Sequence, residues 1–290
     1  MAEKFYSGYV GIIGRPNVGK STLLNAFLGE KISIVTPKPQ TTRHRIMGIL
    51  TLKDCQMIFL DTPGILEPHY QLHQNMVKCA WRVLDEADVI VFMVEPVMPQ
   101  KTEMKIIEHM TSCQKPRLLV INKIDTIQKD ILLPLIESYA KMNIFQEIIP
   151  VSALKLKGTD SLLESIKTSL PEGAPFYPED MITDKPERFF AAEIIREKIF
   201  KYYQEEIPYS TTVVIEEFKE RKPKDYIHGV IYVERESQEG ILIGGIKKVA
   251  VEARKDIEEL IGREVYLELW VKTRKNWRKS SNDLKEFGYE

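Results

Sequence analysis

The residues with the clearest chemical role lie in the stretch GRPNVGKST, at positions 14–22. Two glycines separated by four residues and followed by Lys20 and Ser21 have the spacing of a phosphate-binding loop. In such a loop backbone N–H groups hold an anion, the lysine ammonium reaches the outer phosphate oxygens, and the serine hydroxyl binds Mg²⁺. We therefore predict that a nucleotide phosphate is contacted by Gly14, Asn17, Val18, Gly19, Lys20, Ser21 and Thr22.

The elements on either side of this loop must position it. The apolar run YVGIIG before the loop predicts a β-strand, and TLLNAFLG after it predicts an amphipathic helix. The positive amino end of that helix would face the same phosphates. A chance match in an unrelated loop is the weaker interpretation, because it would not need this strand–loop–helix context.

A second predicted strand is followed by residues that could bind the same ligand. The run IFLDTPG ends in Asp61, and Gly64 follows three residues later. A carboxylate at this place can hold Mg²⁺, commonly through water, and the Gly64 amide can sense a γ-phosphate. On its own this motif is most often only a turn, so its weight comes from the motifs around it.

Two further strand ends select the base. LLVINKID ends a strand with Asn122, Lys123 and Asp125. The Asp125 carboxylate can accept hydrogen bonds from N1–H and the exocyclic amine of guanine, and adenine would leave it unpaired. After the next strand, VSAL provides Ser152, Ala153 and Leu154, of which the Ala153 amide is expected to meet the guanine oxygen. Four motifs in this order favour a GTPase over a P-loop kinase or another ATPase.

The segment between the phosphate loop and Asp61 predicts a mobile loop. ISIVTPKPQTTRHRIMG contains two prolines and several hydroxyls and makes a poor helix. Thr41 or Thr42 could complete the Mg²⁺ shell when a γ-phosphate is present and release it after hydrolysis. The alternative is an exposed threonine in a polar loop. We favour Thr42, so the predicted metal ligands are Ser21, Thr42 and Asp61.

Composition sets broad limits on the function. The chain has 290 residues, a formal net charge of −1 and 43% hydrophobic residues, so a nucleic acid or membrane partner would have to meet a local patch. No apolar run approaches the ~20 residues that cross a bilayer, and no secretory signal is evident, so we expect a cytoplasmic location. The three cysteines are widely spaced and indicate neither a disulfide framework nor a zinc site.

The order of the elements predicts two domains. Up to about residue 170, short strands alternate with helical patterns, which indicates an α/β domain with a mostly parallel sheet and helices on both faces. LPEGAPFYPED is rich in proline and suggests a linker. The remainder reads α-β-β-α-β, a small α+β domain. We place the domains at 1–171 and 183–290, with the linker at 172–182.

Taken together, these motifs resemble one known family. GRPNVGKSTLLN, PQTTRHRI, DTPGI, NKID, VSAL, EARKDIEEL and VYLELWVK are similar to the Era family of bacterial GTPases over almost the whole chain. The resemblance implies a P-loop GTPase domain followed by a type II KH domain, and GTP hydrolysis with Mg²⁺. It also implies binding near the 3′ end of 16S ribosomal RNA, a role in small-subunit assembly, and peripheral contact with the inner membrane. We expect a monomer. The alternative is an RNA chaperone that merely holds nucleotide.

One position departs from the Ras-like pattern. The residue after DxxG there is a glutamine that orients the attacking water, and here it is Ile65, which cannot hydrogen-bond. We expect slow intrinsic hydrolysis. Related GTPases with a hydrophobic residue here use K⁺ together with a loop asparagine, which Asn17 matches, so K⁺ is a second candidate cofactor. The residues expected to act on the reacting phosphate are Lys20, Thr42, Gly64 and Asn17.

A second departure concerns RNA. A KH domain contacts the RNA backbone through a GxxG loop, whereas this chain reads EGILIGGIKK and is about four residues shorter than the family pattern. Either the loop is truly shortened or residues of a flexible loop are absent from the sequence. Basic residues around Trp277 suit phosphate contact and base stacking, with a solvated surface as the alternative. The predicted RNA contacts are Gly244, Gly245, Lys247, Lys248, Arg254, Lys272, Arg274, Lys275, Trp277 and Arg278.

Overall fold

A computed structural model describes residues 4–289, which form two compact units. The first unit runs to Val35, from Thr42 to Pro68 and from His73 to Asp184. The second contains Thr36–Thr41, His69–Leu72 and the chain from Lys185 onward. Two short segments that precede the predicted domain boundary therefore belong to the second unit.

A six-stranded sheet forms the centre of the first unit. Its strands lie in the order β2-β3-β1-β4-β5-β6, and only β2 is antiparallel to its neighbour. Every residue of β4 is buried, as expected for a strand that is covered on both faces. The strands are β1 (Tyr6–Gly14), β2 (Ile46–Thr51), β3 (Cys55–Asp61), β4 (Val89–Val94), β5 (Arg117–Ile121) and β6 (Glu147–Pro150).

Helices cover both faces of this sheet. On β3, Phe59 stacks on Phe27 of the first helix with ring centroids 5.0 Å apart, while its neighbour Ile58 packs in a cluster with Val83 of the second. Successive strand residues point to opposite faces, so the two helices lie on opposite sides. The helices are α1 (Lys20–Leu28), α2 (Gln71–Glu86), α3 (Lys101–Thr111), α4 (Lys129–Ala140) and α5 (Thr159–Ser169). The predicted α/β class is confirmed.

This topology brings the predicted motifs to one edge. Strands β1, β3, β4, β5 and β6 are parallel, so their carboxyl ends meet at the same edge of the sheet. Gly14 ends β1, Asp61 ends β3, and Asn122 directly follows β5. In open α/β sheets this is the edge at which ligands bind.

The segment expected as a linker packs along the first unit. Gln56 of β3 accepts hydrogen bonds from the amides of Phe176 and Tyr177 and donates to the Tyr177 carbonyl (2.7, 3.0 and 2.9 Å). The Ile49 amide donates to the Ile182 carbonyl at 2.7 Å. Proline-rich composition signalled irregular backbone correctly, but it could not show that a buried glutamine would hold that backbone in place.

The second unit is a three-stranded sheet with its two long helices packed on one face. The predicted order α-β-β-α-β is present, with two short helices in addition, one before the first strand and one after the last. The first strand is antiparallel and the last parallel to the central strand. Ile195 and Ile199 pack against Ile227 and Ile231 of β8 in its core. The elements are α6 (Glu187–Tyr202), α7 (Ile207–Ser210), β7 (Thr212–Lys219), β8 (Asp225–Val233), α8 (Glu236–Ile261), β9 (Val265–Thr273) and α9 (Ser281–Glu286).

The predicted glycine-rich RNA segment lies inside α8. This helix runs for 26 residues through Gly240, Gly244 and Gly245, none of which has a positive φ. A Cβ at Gly245 would lie 2.4 Å from the Tyr203 hydroxyl, whereas one at Gly244 would meet nothing within 4 Å. The chain therefore forms one continuous helix where a GxxG loop would interrupt it. Between residues 4 and 289, no helix is long and apolar enough to cross a membrane.

Candidate functional site

The phosphate-binding loop is held by close packing of its glycines. Gly19 has φ 102°, and a Cβ there would lie 2.2 Å from the Asn122 side-chain nitrogen. There is no room for a side chain at Gly64 either, since a Cβ there would lie 2.3 Å from the backbone nitrogen of Pro16. The Ile65 amide donates to the Gly14 carbonyl at 3.0 Å. Glycine is thus required where the second motif approaches the loop.

Lys20 is buried inside this loop. Its ammonium donates to the carbonyls of Gly14 and Arg15 at 3.2 and 2.8 Å. Burial lowers the pKa of Lys20 from 10.5 to about 8, although the nearby Asp61 carboxylate favours the charged form. An anionic ligand such as a phosphate would stabilise the charged form of Lys20 and raise its pKa again.

The predicted metal ligands converge on Asp61. One carboxylate oxygen of this buried residue accepts hydrogen bonds from the hydroxyls of Ser21 (2.7 Å) and Ser33 (3.0 Å). The Ser21 hydroxyl also lies 2.8 Å from that of Thr42. The other oxygen, Oδ1, is buried and has no hydrogen-bond partner within the described chain. Burial raises the pKa of Asp61, and Lys20 and the two hydroxyls oppose that effect.

This donor set fits Mg²⁺. The ion prefers hard oxygen ligands and is commonly bound by one or two carboxylates together with phosphate oxygens. Thr42, rather than Thr41, lies beside Ser21; Thr41 instead contacts Thr36 and the Lys38 carbonyl. Over residues 4–289, no cluster of three or more His, Cys, Asp or Glu side chains could hold a metal.

Asn122 connects three of the motifs. Its side-chain nitrogen donates to the Val18 carbonyl at 2.8 Å, and its oxygen accepts from the Ala153 amide at 2.9 Å. The residue is 3% exposed, so it positions the loop from within. In this structure the Ala153 N–H is donated to Asn122, and its expected contact with guanine stays a prediction. Leu154 follows Ala153 in the chain, and its predicted contact with the nucleotide also stays a prediction.

Asp125 presents a charged carboxylate at the surface. The Ser152 hydroxyl donates to it at 2.5 Å, and this hydrogen bond lowers the pKa of Asp125. The group is therefore ionised at neutral pH and keeps acceptor capacity for a base. The Lys123 ammonium donates to the Asn17 carbonyl at 2.7 Å and to Glu95 at 2.5 Å, which ties this motif to the phosphate loop.

The predicted RNA residues differ in burial and in their partners. Trp277 is fully buried, its indole N–H donates to the Ser210 carbonyl at 2.9 Å, and its ring stacks on Tyr289, so the prediction that it stacks on bases is wrong. An aromatic among basic residues can serve the core just as well, and a single sequence does not distinguish the two. Arg274 is paired with Asp283 and Glu286, and Arg278 with Glu234.

The remaining predicted basic residues lie at the surface. Lys247, Lys248 and Arg254 are exposed on α8, and the Lys248 ammonium lies 4.1 Å from the centre of the Tyr202 ring. Arg254 lies 3.9 Å from Glu258, and Lys275 3.9 Å from Glu236.

Sequence reasoning missed two residues that support the site. Ser33 donates to Asp61, and Glu95 pairs with Lys123. Ser33 lies at the start of the segment that was expected to be a mobile loop, and Glu95 directly follows β4. The only available signal for Glu95 was its place after a buried strand whose carboxyl end faces the site.

Comparison with known proteins gives a consistent result. Residues 9–123 match the family described as 50S ribosome-binding GTPase, and residues 206–278 match the KH domain family. The chain is 50% identical over 297 residues to the GTPase Era of Geotalea uraniireducens (strain Rf4), with 100% of both chains covered. It is 45% identical to that of Ruminiclostridium cellulolyticum, with 99% of this chain and 98% of the relative covered.

Two solved structures are similar over nearly the whole chain. One is Era in complex with MgGDPNP and nucleotides 1506–1542 of 16S ribosomal RNA, with a TM-score of 0.96, 44% identity and coverage of 98% of this chain and 99% of that one. The other is a variant of Aquifex aeolicus Era bound to GDP and AlF4⁻, with a TM-score of 0.95, 44% identity and the same coverage.

Proposed function

The chain belongs to the Era family of GTPases, and from this premise we propose that it is a switch that binds 16S ribosomal RNA near its 3′ end and assists small-subunit assembly. The observation that carries the switch is the set formed by Lys20, Ser21, Thr42 and Asp61, together with the base-selecting Asp125. The RNA partner is supported by the KH match and by the RNA in the similar complex.

The site residues divide the work of GTP hydrolysis. A phosphate offers Lys20 a charge-assisted partner in place of two loop carbonyls. Mg²⁺, when bound with the nucleotide, neutralises charge on the β- and γ-phosphate oxygens; Ser21, Thr42 and Asp61 would hold it. Gly64 lies where the second motif meets the loop, and we propose that its amide senses the γ-phosphate. Water attacks the γ-phosphorus as the bond to the β–γ bridging oxygen breaks; GDP leaves with that oxygen, and the proton lost by the water passes to a phosphate oxygen or to solvent.

Ile65 takes no part in orienting that water. Its side chain is 5% exposed and packs with Ile13, Ala80 and Leu84 in the core. Hydrolysis without a side-chain base is expected to be slow, and an added cation is one way to speed it.

We propose K⁺, held near the exposed Asn17, as that cation. Asn17 has φ 64°, and its carbonyl is fixed by Lys123. Single-turnover hydrolysis should be faster in KCl than in NaCl at equal ionic strength, and Asn17→Ala should remove the difference. Equal rates in both salts would contradict the K⁺ role.

The 36–43 loop is the proposed link between nucleotide and RNA. Thr42 belongs to the first unit, whereas Thr36–Thr41 belong to the second, where the Lys38 ammonium donates to the Phe200 carbonyl at 2.6 Å and also to the Tyr203 carbonyl. We propose that GTP orders this loop and the 64–80 segment and thereby changes the affinity of the second unit for RNA. Hydrolysis of GTP would then release the protein from its assembly target.

A cytoplasmic location with peripheral membrane contact, and a monomeric state, remain predictions. Crosslinking of the protein to RNA in cells, followed by sequencing of the bound fragments, tests the proposed partner. Fragments concentrated near the 3′ end of 16S ribosomal RNA are expected. Fragments spread over unrelated RNAs would contradict the proposal.

A further inference from the structure

One face of the second unit's sheet carries exposed aromatic rings. Ile227, Ile231 and Leu267 point into the core, so the alternate residues of β8 and β9 lie on the opposite side of the sheet. We name that side the aromatic face. It is formed by Tyr226, His228, Tyr266, Glu268, Trp270 and Lys272, together with the buried Val230 and with Tyr232, whose ring centroid lies 5.0 Å from that of Phe287.

Two of its rings are unusually open to solvent. Tyr266 is 60% and Trp270 50% exposed. Each is supported from the neighbouring strand, because Tyr266 stacks on Tyr226 (6.0 Å between ring centroids, 15° between planes) and Trp270 packs edge-on against His228 (4.8 Å, 70°). Rings that are held in place but uncovered suit a partner that stacks on them.

Glu268 lies between the two rings and fixes neighbours on both sides. It accepts hydrogen bonds from the Tyr226 hydroxyl at 2.7 Å and from the Trp270 indole N–H at 2.9 Å. These bonds lower the pKa of Glu268, so the carboxylate is ionised at neutral pH. A carboxylate has about four acceptor positions, so it can still accept an N–H from a base edge.

Cations border the rings. The Lys272 ammonium lies 5.4 Å from the centre of the Trp270 ring, and the Arg221 guanidinium 5.1 Å from that of Tyr226. Two of the nearby carboxylates lie close to cations, since Glu217 pairs with Lys219 and Glu216 lies 3.6 Å from Lys272. Aromatic rings bordered by basic side chains match the chemistry of single-stranded nucleic acid, in which every base has a stacking surface and every linkage a negative charge.

We propose that the aromatic face binds single-stranded RNA, with bases stacked on Trp270 and Tyr266 and phosphates near Lys272 and Arg221. This inference rests on the proposed RNA-binding function and assigns it a surface. KH domains usually hold the RNA backbone with a GxxG loop, and the uninterrupted α8 provides no such loop. Tyr266 and Trp270 are four residues apart on one strand, about 13 Å, so they would stack on non-adjacent bases with Glu268 facing the base between them.

The test uses the full chain and a short labelled RNA with the 3′-terminal sequence of 16S ribosomal RNA. Affinity is measured by fluorescence anisotropy. Trp270→Ala should weaken binding by about 5-fold to 150-fold, the range for loss of one stacked base, and Trp270→Phe should restore most of it. Tyr266→Ala should act in the same direction. Phe176→Ala removes an aromatic of similar exposure (55%) from the first unit and should leave affinity unchanged.

A second readout separates stacking from a structural effect. The chain has three tryptophans, and of these Trp277 is fully buried. RNA should quench the fluorescence of the unmodified chain, and Trp270→Phe should lose that quenching while it keeps its affinity. GTP hydrolysis by each variant shows that the first unit is intact, and far-ultraviolet circular dichroism shows that the second is folded.

The outcomes distinguish this inference from the proposed function. If Trp270→Ala and Tyr266→Ala bind RNA as tightly as the unmodified chain, while Lys247→Glu and Lys248→Glu on α8 abolish binding, the aromatic face is overturned and the RNA function stands. If the unmodified chain itself does not bind this RNA, both are overturned.

Discussion

At the scale of single residues, the main feature of the phosphate loop is the buried ammonium group of Lys20 and its lowered pKa. The lysine ammonium donates to loop carbonyls and loses hydration, and the nearby Asp61 carboxylate offsets only part of that effect, so the pKa of Lys20 falls to about 8. Because the unfolded chain binds that proton more tightly, the nucleotide-free protein should gain stability as the pH rises from about 8 towards 10.5.

Nucleotide binding should reverse this shift. Phosphate favours the charged ammonium, so the protein should take up about half a proton per GTP at pH 8 and very little near pH 7, where Lys20 is already charged. Calorimetric titration in two buffers with different ionisation enthalpies measures the uptake. Binding heats at pH 8 that do not depend on the buffer would contradict the lowered pKa.

At the scale of elements, the sequence was most informative where a strand ends in a motif. The strand–loop–helix around Lys20 and the strand ends at Asp61 and Asn122 were all predicted, because local pattern and chemistry agree there. The antiparallel β2 was not predicted, since its pairing with β3 depends on a partner distant in sequence. The burial of Trp277 likewise depends on contacts with Ser210 and Tyr289.

Helix α8 allows a paired test of its continuity. Gly244→Ala should stabilise the protein by up to about 1 kcal/mol, since alanine favours a helix and its methyl group would meet nothing within 4 Å. Gly245→Ala should destabilise it, because its Cβ would lie 2.4 Å from the Tyr203 hydroxyl, which donates to the Leu242 carbonyl. Denaturant unfolding measures both changes. A destabilised Gly244→Ala would indicate a glycine-only turn instead of a helix.

At the scale of the whole molecule, the sequence predicted two domains of the correct classes, but the two units of the structure contain segments that the predicted boundaries assign differently. Segments Thr36–Thr41 and His69–Leu72 group with the second unit, and the chain up to Asp184 groups with the first. This grouping depends on contacts such as those of Gln56 and Lys38. Such contacts join residues that are distant in sequence, so local sequence patterns do not predict them. If GTP alters RNA affinity through these segments, RNA must alter GTP affinity by the same factor.

Selection of guanine by Asp125 is tested by equilibrium competition for the purified protein with Mg²⁺, in which labelled GTP is displaced by unlabelled GTP or ATP. A site whose charged Asp125 receives the guanine N–H groups should prefer GTP by about 10⁴-fold or more, and Asp125→Ala should remove most of that preference while Phe176→Ala keeps it. Displacement by ATP as effective as that by GTP, or an Asp125→Ala variant that remains as selective as the unmodified chain, would contradict the account.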